Sequence, residues 1–415
     1  MKISIRKTKY FFLVIYVILM SGSFFGLSYS NVLSKINIVA VGIGFLYLLI
    51  KGKFEFRRDL ITLFLMITVF TYIIRMIMWN ELSSITGYIG DLAIVFSYVL
   101  LARYVDYDLF IDQYIKIMLA MSIGALLGMR FFNVLISMPV PIIRGDWNYH
   151  YFGIFALREV SDTRTVGLFW EPGMFQGYLI FAMLLIALKP KRSMKEWIYF
   201  FIFGATVVTT RSTTGFFLLI VLVAMIVVLA INPKGANGSI QRIIIQWLIV
   251  IVTCVAAVTI IVSPEIFAGL LSYFPEDVVG KLTDTSNVST NTRTYGMIYD
   301  LFMAFQHPLG VGRNSVSEIR NGLMKYYGVV VTGRTSSWTT AFVYSGVLGG
   351  ILYVYLWIKG SLNFNEGNVI KGIFTIIILA VIANTEPHYG SLFFNMIVIM
   401  WFLRKNNSSE IMDYQ

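Results

Sequence analysis

Apolar residues occur along this chain in runs of about 20, and short polar segments separate the runs. A run of that length crosses the hydrocarbon core of a bilayer as one helix, and its continuity argues against the alternating strands of a transmembrane β-barrel. The pattern predicts an all-α, polytopic transmembrane bundle forming one integral membrane domain over residues 1–415. The spans that we predict are about 10–28, 36–50, 60–79, 87–103, 113–135, 167–188, 196–210, 213–231, 243–263, 338–358, 370–385 and 389–403.

Two longer polar intervals, about 136–166 and 264–337, are predicted to be large external loops that contain short amphipathic helices. In the second, an apolar stripe predicts a helix lying on the membrane or the bundle. Asn291 or Thr292 is the expected N-cap of this helix, and Pro308 is expected to end it.

Composition agrees with a membrane protein. The 415 residues are 57% hydrophobic and 13% charged, against roughly 25% charged in soluble domains. Cys254 is the only cysteine, and His150, His307 and His388 are far apart. An intramolecular disulfide is therefore excluded, and no metal site or cofactor is expected.

The basic residues indicate an orientation. Lysines recur in alternate loops, for example at Lys51, Lys189 and Lys359, and the positive-inside rule makes those loops cytoplasmic. With twelve spans both termini are then cytoplasmic, and the apolar run that follows the basic N-terminus is expected to be retained as a span. Topology thus accounts for the net charge of +11 without a nucleic-acid partner.

The predicted outer side is instead rich in arginine, whose planar fork binds phosphate and carboxylate through two hydrogen bonds. The alternative is that these arginines are solvated and paired with loop acids such as Glu159, Asp162, Glu276 and Asp284. The arginines are Arg75, Arg130, Arg144, Arg158, Arg164, Arg211, Arg293, Arg313, Arg320 and Arg334.

The segment "TRTVGLFWEPGMFQGYL" places Arg164 and Glu171 seven residues apart. They share a helix face if the sixth span begins early, and Pro172 is expected to kink that helix. Placing an acid at this depth costs free energy unless the acid is paired or hydrated. Glu171 is therefore a candidate base that faces a cavity. The alternative is a structural Arg–Glu pair.

Two further segments present cations beside helix ends. "TTRSTTG" predicts a tight turn that directs Arg211 at the membrane surface, as a substrate contact or as an anchor to lipid phosphate. Arg293 is expected to lie beside the free N–H groups of the loop helix, where an anion is favoured. His307 lies fourteen residues further on, roughly 21 Å along a helix, so a capping or packing role is favoured over catalysis.

Three further segments complete the set of candidates. "GVGR" can bring backbone amides and the Arg313 guanidinium to a ligand, and Arg334 lies at the mouth of the tenth span, either as a substrate contact or as a lipid anchor. "NTEPHYG" places Glu386 and His388 between the last two spans. They are candidate bases, with a solvent-exposed turn as the alternative.

In this order over about residues 120–400, the motifs "RTVGLFWEPG", "TTRSTTG" and the arginine–helix–"HPLGVG" segment resemble the O-antigen polymerase and ligase superfamily. The resemblance implies a metal-independent glycosyltransferase of the bacterial inner membrane. Its substrates would be undecaprenyl-diphosphate-linked glycans on the outer face, and a chain-length regulator and a flippase of the same pathway would be its partners.

The resemblance implies that arginines and helix N-terminal amides stabilise the diphosphate leaving group, and that Glu171 or Glu386 deprotonates the acceptor. Ligases of the superfamily carry a histidine after the large loop, where this chain has Ser336, Ser337 and Trp338. That departure favours a polymerase of O-antigen or capsule repeat units over a ligase that acts on lipid A–core. A flippase for lipid-linked oligosaccharides and a non-enzymatic export subunit are the competing classes. A flippase would line a central cavity with charges, and Asp91 is the chief mid-span charge.

Overall fold

The computed structural model describes residues 5–52, 59–144, 148–159, 164–231, 240–262, 288–331, 336–366 and 368–412. The described chain is nearly all-α, as predicted. Its helices are α1 Ile5–Leu19, α2 Phe24–Ser28, α3 Ser30–Ile50, α4 Leu60–Met78, α5 Ile85–Tyr104, α6 Tyr107–Arg130, α7 Phe132–Ile136, α8 Pro172–Ala187, α9 Met194–Thr209, α10 Thr213–Ala230, α11 Ile240–Val262, α12 Val288–Gln306, α13 Ser315–Tyr327, α14 Ser337–Phe364, α15 Val369–Thr385 and α16 Leu392–Met412. A short 3-10 helix, Leu82–Ser84, precedes α5.

Several of these helices are long and apolar enough to cross a membrane, which identifies a membrane protein. Within the described ranges six meet both conditions: α3, α4, α5 with the 3-10 helix before it, α6, α10 and α14. Shorter apolar helices of 10–17 residues lie at Pro172–Ala187, Ile243–Thr259, Val369–Thr385 and Leu392–Arg404. The full set of twelve spans and the orientation of the termini stay predictions.

Three helix ends differ from the predicted ones for local reasons. The first helix ends at Leu19 and not near residue 28, because Gly22 adopts a positive φ of 92° and Ser23 caps a new helix through the Gly26 N–H. The sixth predicted span begins at Pro172, whose fixed φ suits the first helical position, so the predicted kink is wrong. The loop helix α12 begins at Val288, so the predicted caps were placed too late.

The prediction also missed a small antiparallel sheet. Three strands, β1 Ile142–Arg144, β2 Asn148–Tyr151 and β3 Ala156–Arg158, pair in the order β1-β2-β3 within the first predicted loop. The strands are so short that an alternation of apolar and polar residues cannot be recognised in them. The second predicted loop contains α12 and α13 in its described part, in agreement with the expectation of helices there.

The chain divides into two compact units, each assembled from separate segments. Unit 1 comprises residues 1–29, 106–260 and 367–382, and unit 2 comprises residues 30–105, 261–366 and 383–415. In unit 1, α8 is buried along its whole length and packs on α9 and α10, while α1 and α9 pack on α6. In unit 2, α14 packs against α4, α12 and α16, and α5 packs against α16 and α3.

Candidate functional site

The segment from His307 to Ser315 in unit 2 forms a turn that lies against the ends of α4 and α14. We call this segment the HPLGVGR turn. It begins where Pro308 stops α12 at Gln306, as the sequence predicted. The His307 ring packs edge-on against Trp79, 5.0 Å between centroids, in agreement with the favoured packing role.

A break in α14 receives the first half of the HPLGVGR turn. Gly346 has φ 67° and ψ 176° inside the helix, which frees the Val347 N–H to donate to the Pro308 carbonyl at 2.8 Å. The Val311 N–H donates to the Val343 carbonyl at 2.9 Å. A side chain at Gly346 would lie 2.7 Å from the Pro308 oxygen. Glycine is therefore required both for the backbone conformation and for the close approach.

Arg75 of α4 lies under the turn and is 1% exposed. Its Nε–H donates to the Val311 carbonyl at 2.7 Å, and its Nη1 donates to the Tyr344 carbonyl. The guanidinium is also enclosed by the rings of Tyr72, Tyr88 and Tyr344, 5.0, 5.4 and 5.1 Å from their centroids. Carbonyls and aromatic faces replace the water that a buried cation loses.

A carboxylate holds the second half of the turn. Glu81 is 5% exposed and accepts backbone N–H groups of Arg313 at 2.7 Å, Asn314 at 2.9 Å and Ser315 at 3.3 Å. The Tyr88 hydroxyl donates to the same carboxylate at 2.6 Å. Burial alone would raise the pKa of Glu81, but the hydrogen bonds from Tyr88, Asn314, Arg313 and Ser315 outweigh it and hold the pKa below its ordinary value.

These contacts explain how α13 begins without a side-chain cap of its own. Asn314, its N-cap residue, makes no capping hydrogen bond through its side chain. Glu81, more than two hundred residues earlier, supplies the anion that the free N–H groups and the helix dipole favour. The amides of "GVGR" were predicted to bind a ligand, and in the structure the N–H groups that follow the second glycine bind this internal carboxylate.

The Arg313 side chain extends over α5. Its Nη1 donates to Asp91 at 2.6 Å, and the two side chains are 40% and 35% exposed. The guanidinium lies flat against Gly87, where an added Cβ would come within 2.9 Å of Cζ and Nη1. Arg313 is therefore fixed at its backbone, along its guanidinium and at one nitrogen, while part of the side chain remains accessible.

A second polar cluster ties the helices around the turn together. The buried Asp300 of α12 accepts hydrogen bonds from the Thr339 and Thr340 hydroxyls, both at 3.1 Å, and lies 3.6 Å from Nη2 of Arg320. These contacts join α12, α13 and α14. Arg320 was counted among the outer arginines, and the structure gives it this buried partner.

Arg293 does not lie at a helix N-terminus, which corrects the prediction of free amides beside it. Since α12 begins at Val288, Arg293 is in the second turn of the helix. Its side chain is half-buried, and its Nε is buried without a hydrogen-bond partner among the described residues. The helix is continuous from there to Gln306, so Arg293 and His307 remain far apart along it.

Unit 1 brings two of the predicted cations together. Arg211 lies in the tight turn between α9 and α10 with φ 46°, as "TTRSTTG" predicted, and its side chain is exposed. The Arg164 guanidinium donates to the carbonyls of Thr210 at 2.9 Å and Arg211 at 3.4 Å. The loop before α8 is thereby attached to this turn.

Glu171 is the N-cap residue of α8, with extended backbone angles and no capping hydrogen bond from its side chain. Arg164 lies in non-helical chain, so the two residues do not share a helix face. The reason is that Pro172 begins the helix one residue after Glu171. Glu171 is half-exposed and remains accessible to a ligand.

In the turn between α15 and α16 both candidate bases are buried, although Pro387 and Gly390 of the same turn are exposed. Glu386 is 3% exposed and His388 is 0% exposed. The Ser337 hydroxyl donates to the Glu386 carbonyl at 3.1 Å and accepts the His388 N–H at 2.7 Å. Burial lowers the pKa of His388 to about 3, so its imidazole is neutral and a weak base at neutral pH. Arg334 lies outside the described residues.

Sequence reasoning missed Glu81, Gly87 and Asp300. Asp91 gave a usable signal, because a charge inside an apolar span needs a partner. Glu81 and Gly87 gave no such signal, since an acid in a short link and a glycine in a helix are ordinary features. Only the structure shows that both residues contact the HPLGVGR turn. The chain matches no protein-family model, and it is similar to none of the curated proteins or solved structures with which it was compared.

Proposed function

We propose that this membrane protein polymerises a bacterial surface polysaccharide, either O-antigen or capsule. It would transfer a glycan from one undecaprenyl-diphosphate carrier to the repeat unit on another, at the outer face of the inner membrane. The observation that carries the proposal is the placement of Arg313, the residue that directly follows the most specific of the resembling motifs. Buried contacts hold this arginine in place while part of its guanidinium stays accessible.

Anion binding is the chemistry that such an arrangement favours. A guanidinium already held in place loses little side-chain entropy when it binds a phosphate, and its donors match two phosphate oxygens. The ends of apolar helices are also where the diphosphate of a lipid-linked substrate meets the protein, because the polyprenyl chain lies in the bilayer. Arg313 is therefore our first candidate for a diphosphate contact.

The proposed reaction is a metal-independent glycosyl transfer. The acceptor hydroxyl oxygen bonds to the anomeric carbon, the bond from that carbon to the diphosphate oxygen breaks, and the diphosphate leaves with the electron pair. Arginines stabilise the charge that develops on it. For the base that takes the hydroxyl proton, the sequence offers Glu171 and, less favoured, Glu386.

Arg164 and Arg211 in unit 1, and Arg293 in unit 2, are further candidates for binding diphosphates or acidic sugars. Arg334, which lies outside the described residues, stays a candidate on the basis of the sequence alone. Membrane lipids, a chain-length regulator and a flippase of the same pathway are the expected partners.

The partner of Asp91 weighs against the flippase alternative. A flippase needs charges that line a path through the membrane, but Asp91, which the sequence placed inside a span, lies in the second turn of α5 and is paired with Arg313. The ligase alternative predicts a different phenotype when the gene is deleted.

The first test is deletion of the gene, followed by electrophoresis of the surface polysaccharide. A polymerase mutant keeps a single repeat unit on each core or carrier and regains long chains on complementation. Complete loss of surface attachment would indicate a ligase, and unchanged long chains would reject both.

Arg293→Lys tests a single arginine of the proposal. Lysine keeps the charge but loses the two-pronged hydrogen bonding, so we expect polymer yield to fall roughly tenfold, equivalent to about 1.4 kcal/mol in the transition state. Arg130→Lys, at the exposed end of α6, is the matched control. Wild-type chain length and yield in Arg293→Lys would remove Arg293 from the diphosphate contacts.

A further inference from the structure

We propose that Glu81 and Gly87 are positioning residues that act through Arg313, and that Asp91 is a counter-ion which the diphosphate of the substrate displaces. This inference rests on the proposed function, and it adds a set of residues that neither the motifs nor the resemblance indicates. All three lie within eleven consecutive residues at the beginning of α5. We call them the Arg313 cradle.

Each cradle residue constrains a different part of Arg313. Glu81 holds its backbone N–H at 2.7 Å and the two N–H groups that follow. Gly87 provides the flat surface on which the guanidinium lies, because any side chain there would meet it at about 2.9 Å. Asp91 binds Nη1 at 2.6 Å. Together they restrict the translation and the rotation of the guanidinium.

The two acids differ in burial, and this difference assigns their roles. Glu81 is 5% exposed and accepts several donors, so its removal would leave buried N–H groups without an acceptor. Asp91 accepts a hydrogen bond from Arg313, and both side chains of that pair are more than one-third exposed. An exposed ion pair of this kind contributes little net free energy. The diphosphate of the substrate, which carries one negative charge on each phosphate, can therefore replace the Asp91 carboxylate on Arg313 at small cost.

The two roles predict opposite effects on binding. A methyl group in the place of the guanidinium, as in Gly87→Ala, displaces it and should weaken the binding of diphosphate. Loss of the competing anion, as in Asp91→Asn, leaves Arg313 against Gly87 and still anchored by Glu81, so binding should strengthen. Both effects should vanish once residue 313 carries no guanidinium, because they act through it.

The experiment measures the binding of undecaprenyl diphosphate to the full-length protein in lipid nanodiscs. We expect Gly87→Ala to raise the Kd about tenfold and Asp91→Asn to lower it about threefold, and neither change should alter the Kd in an Arg313→Gln background. The controls are Gly44→Ala, a helix position with open space around it, and Asp112→Asn, whose partner is the exposed Lys116. Both controls should keep the wild-type Kd.

The outcomes separate this inference from the proposed function. If the wild type binds undecaprenyl diphosphate but makes no polymer, the polymerase proposal fails while the Kd values still test the cradle. If polymer is made and Gly87→Ala binds like the wild type, or its effect persists in the Arg313→Gln background, the cradle is wrong. A wild type that does not bind undecaprenyl diphosphate overturns the inference. A weaker Kd in Asp91→Asn would overturn the displaceable counter-ion.

Discussion

At the scale of single residues, the charges around the HPLGVGR turn follow one rule, that a buried ion is held by dipoles or by an opposite charge. Arg75 is surrounded by carbonyl oxygens and aromatic faces, and Glu81 is surrounded by N–H and O–H donors. Both ions are nearly inaccessible. Their role is therefore to shape the turn, and the more exposed Arg313 is the residue that we propose for contact with a ligand.

Glu81 makes the stability of the protein depend on pH in a definite direction. Its pKa is lowered in the folded state, so the carboxylate stabilises the fold above its unfolded pKa of about 4.3, and this contribution is lost as the pH falls through the folded value. We expect the wild type to have a higher Tm than Glu81→Gln at pH 7. The difference should shrink below about pH 4.

Thermal unfolding of the two proteins in detergent, followed from pH 7 to pH 3, provides the measurement. Glu318→Gln, at an exposed position in the first turn of α13, is the matched control and should show little difference at any pH. A difference between the wild type and Glu81→Gln that stays constant down to pH 3 would show that the charge of Glu81 does not hold the turn.

At the scale of elements, the break in α14 and the HPLGVGR turn form one structural feature. Gly346→Ala would force a side chain into a positive φ and against the Pro308 oxygen at 2.7 Å. We expect a loss of about 2 kcal/mol or more in stability, or separation of the turn from α14. Lower yield and a lower Tm are the observable results.

Gly322→Ala is the control for that substitution. Gly322 lies within α13 with open space at the Cβ position, so alanine should be neutral or stabilising by up to about 1 kcal/mol through helix propensity. Equal Tm values for the two variants would contradict the requirement for glycine at Gly346.

Prediction from the sequence succeeded where one physical signal dominated. Long apolar runs gave the helices, Pro308 gave the end of α12, and "TTRSTTG" gave the turn that carries Arg211. It failed where a local capping residue, or a residue far away in the sequence, determines where a helix begins. Ser23 starts a helix inside the first apolar run, and Glu81 caps a helix across more than two hundred residues. No periodicity in the sequence records either contact.

At the scale of the whole molecule, the proposed topology has many membrane crossings, with the lysine-rich and the arginine-rich loops on opposite sides. With twelve spans, both termini and Lys189 are cytoplasmic, and α12 is outside. We expect a green fluorescent protein fused at the C-terminus to fluoresce, and alkaline phosphatase inserted after Gly328 to be active. Gly328 ends α13 in a left-handed conformation at the protein surface, which suits an insertion. An inactive phosphatase at this site would reverse the assigned orientation.

The central claim is that the chain itself joins lipid-linked repeat units. The most direct measurement is polymerisation by the purified full-length protein in nanodiscs, supplied with the lipid-linked oligosaccharide extracted from its own deletion strain. A ladder of products separated by one repeat unit, with release of undecaprenyl diphosphate in proportion to the bonds formed, is the predicted result. The ladder should be absent or strongly reduced with Arg313→Gln and retained with Arg130→Lys. If the wild type consumes no lipid-linked oligosaccharide and forms no ladder, the protein is not a polymerase.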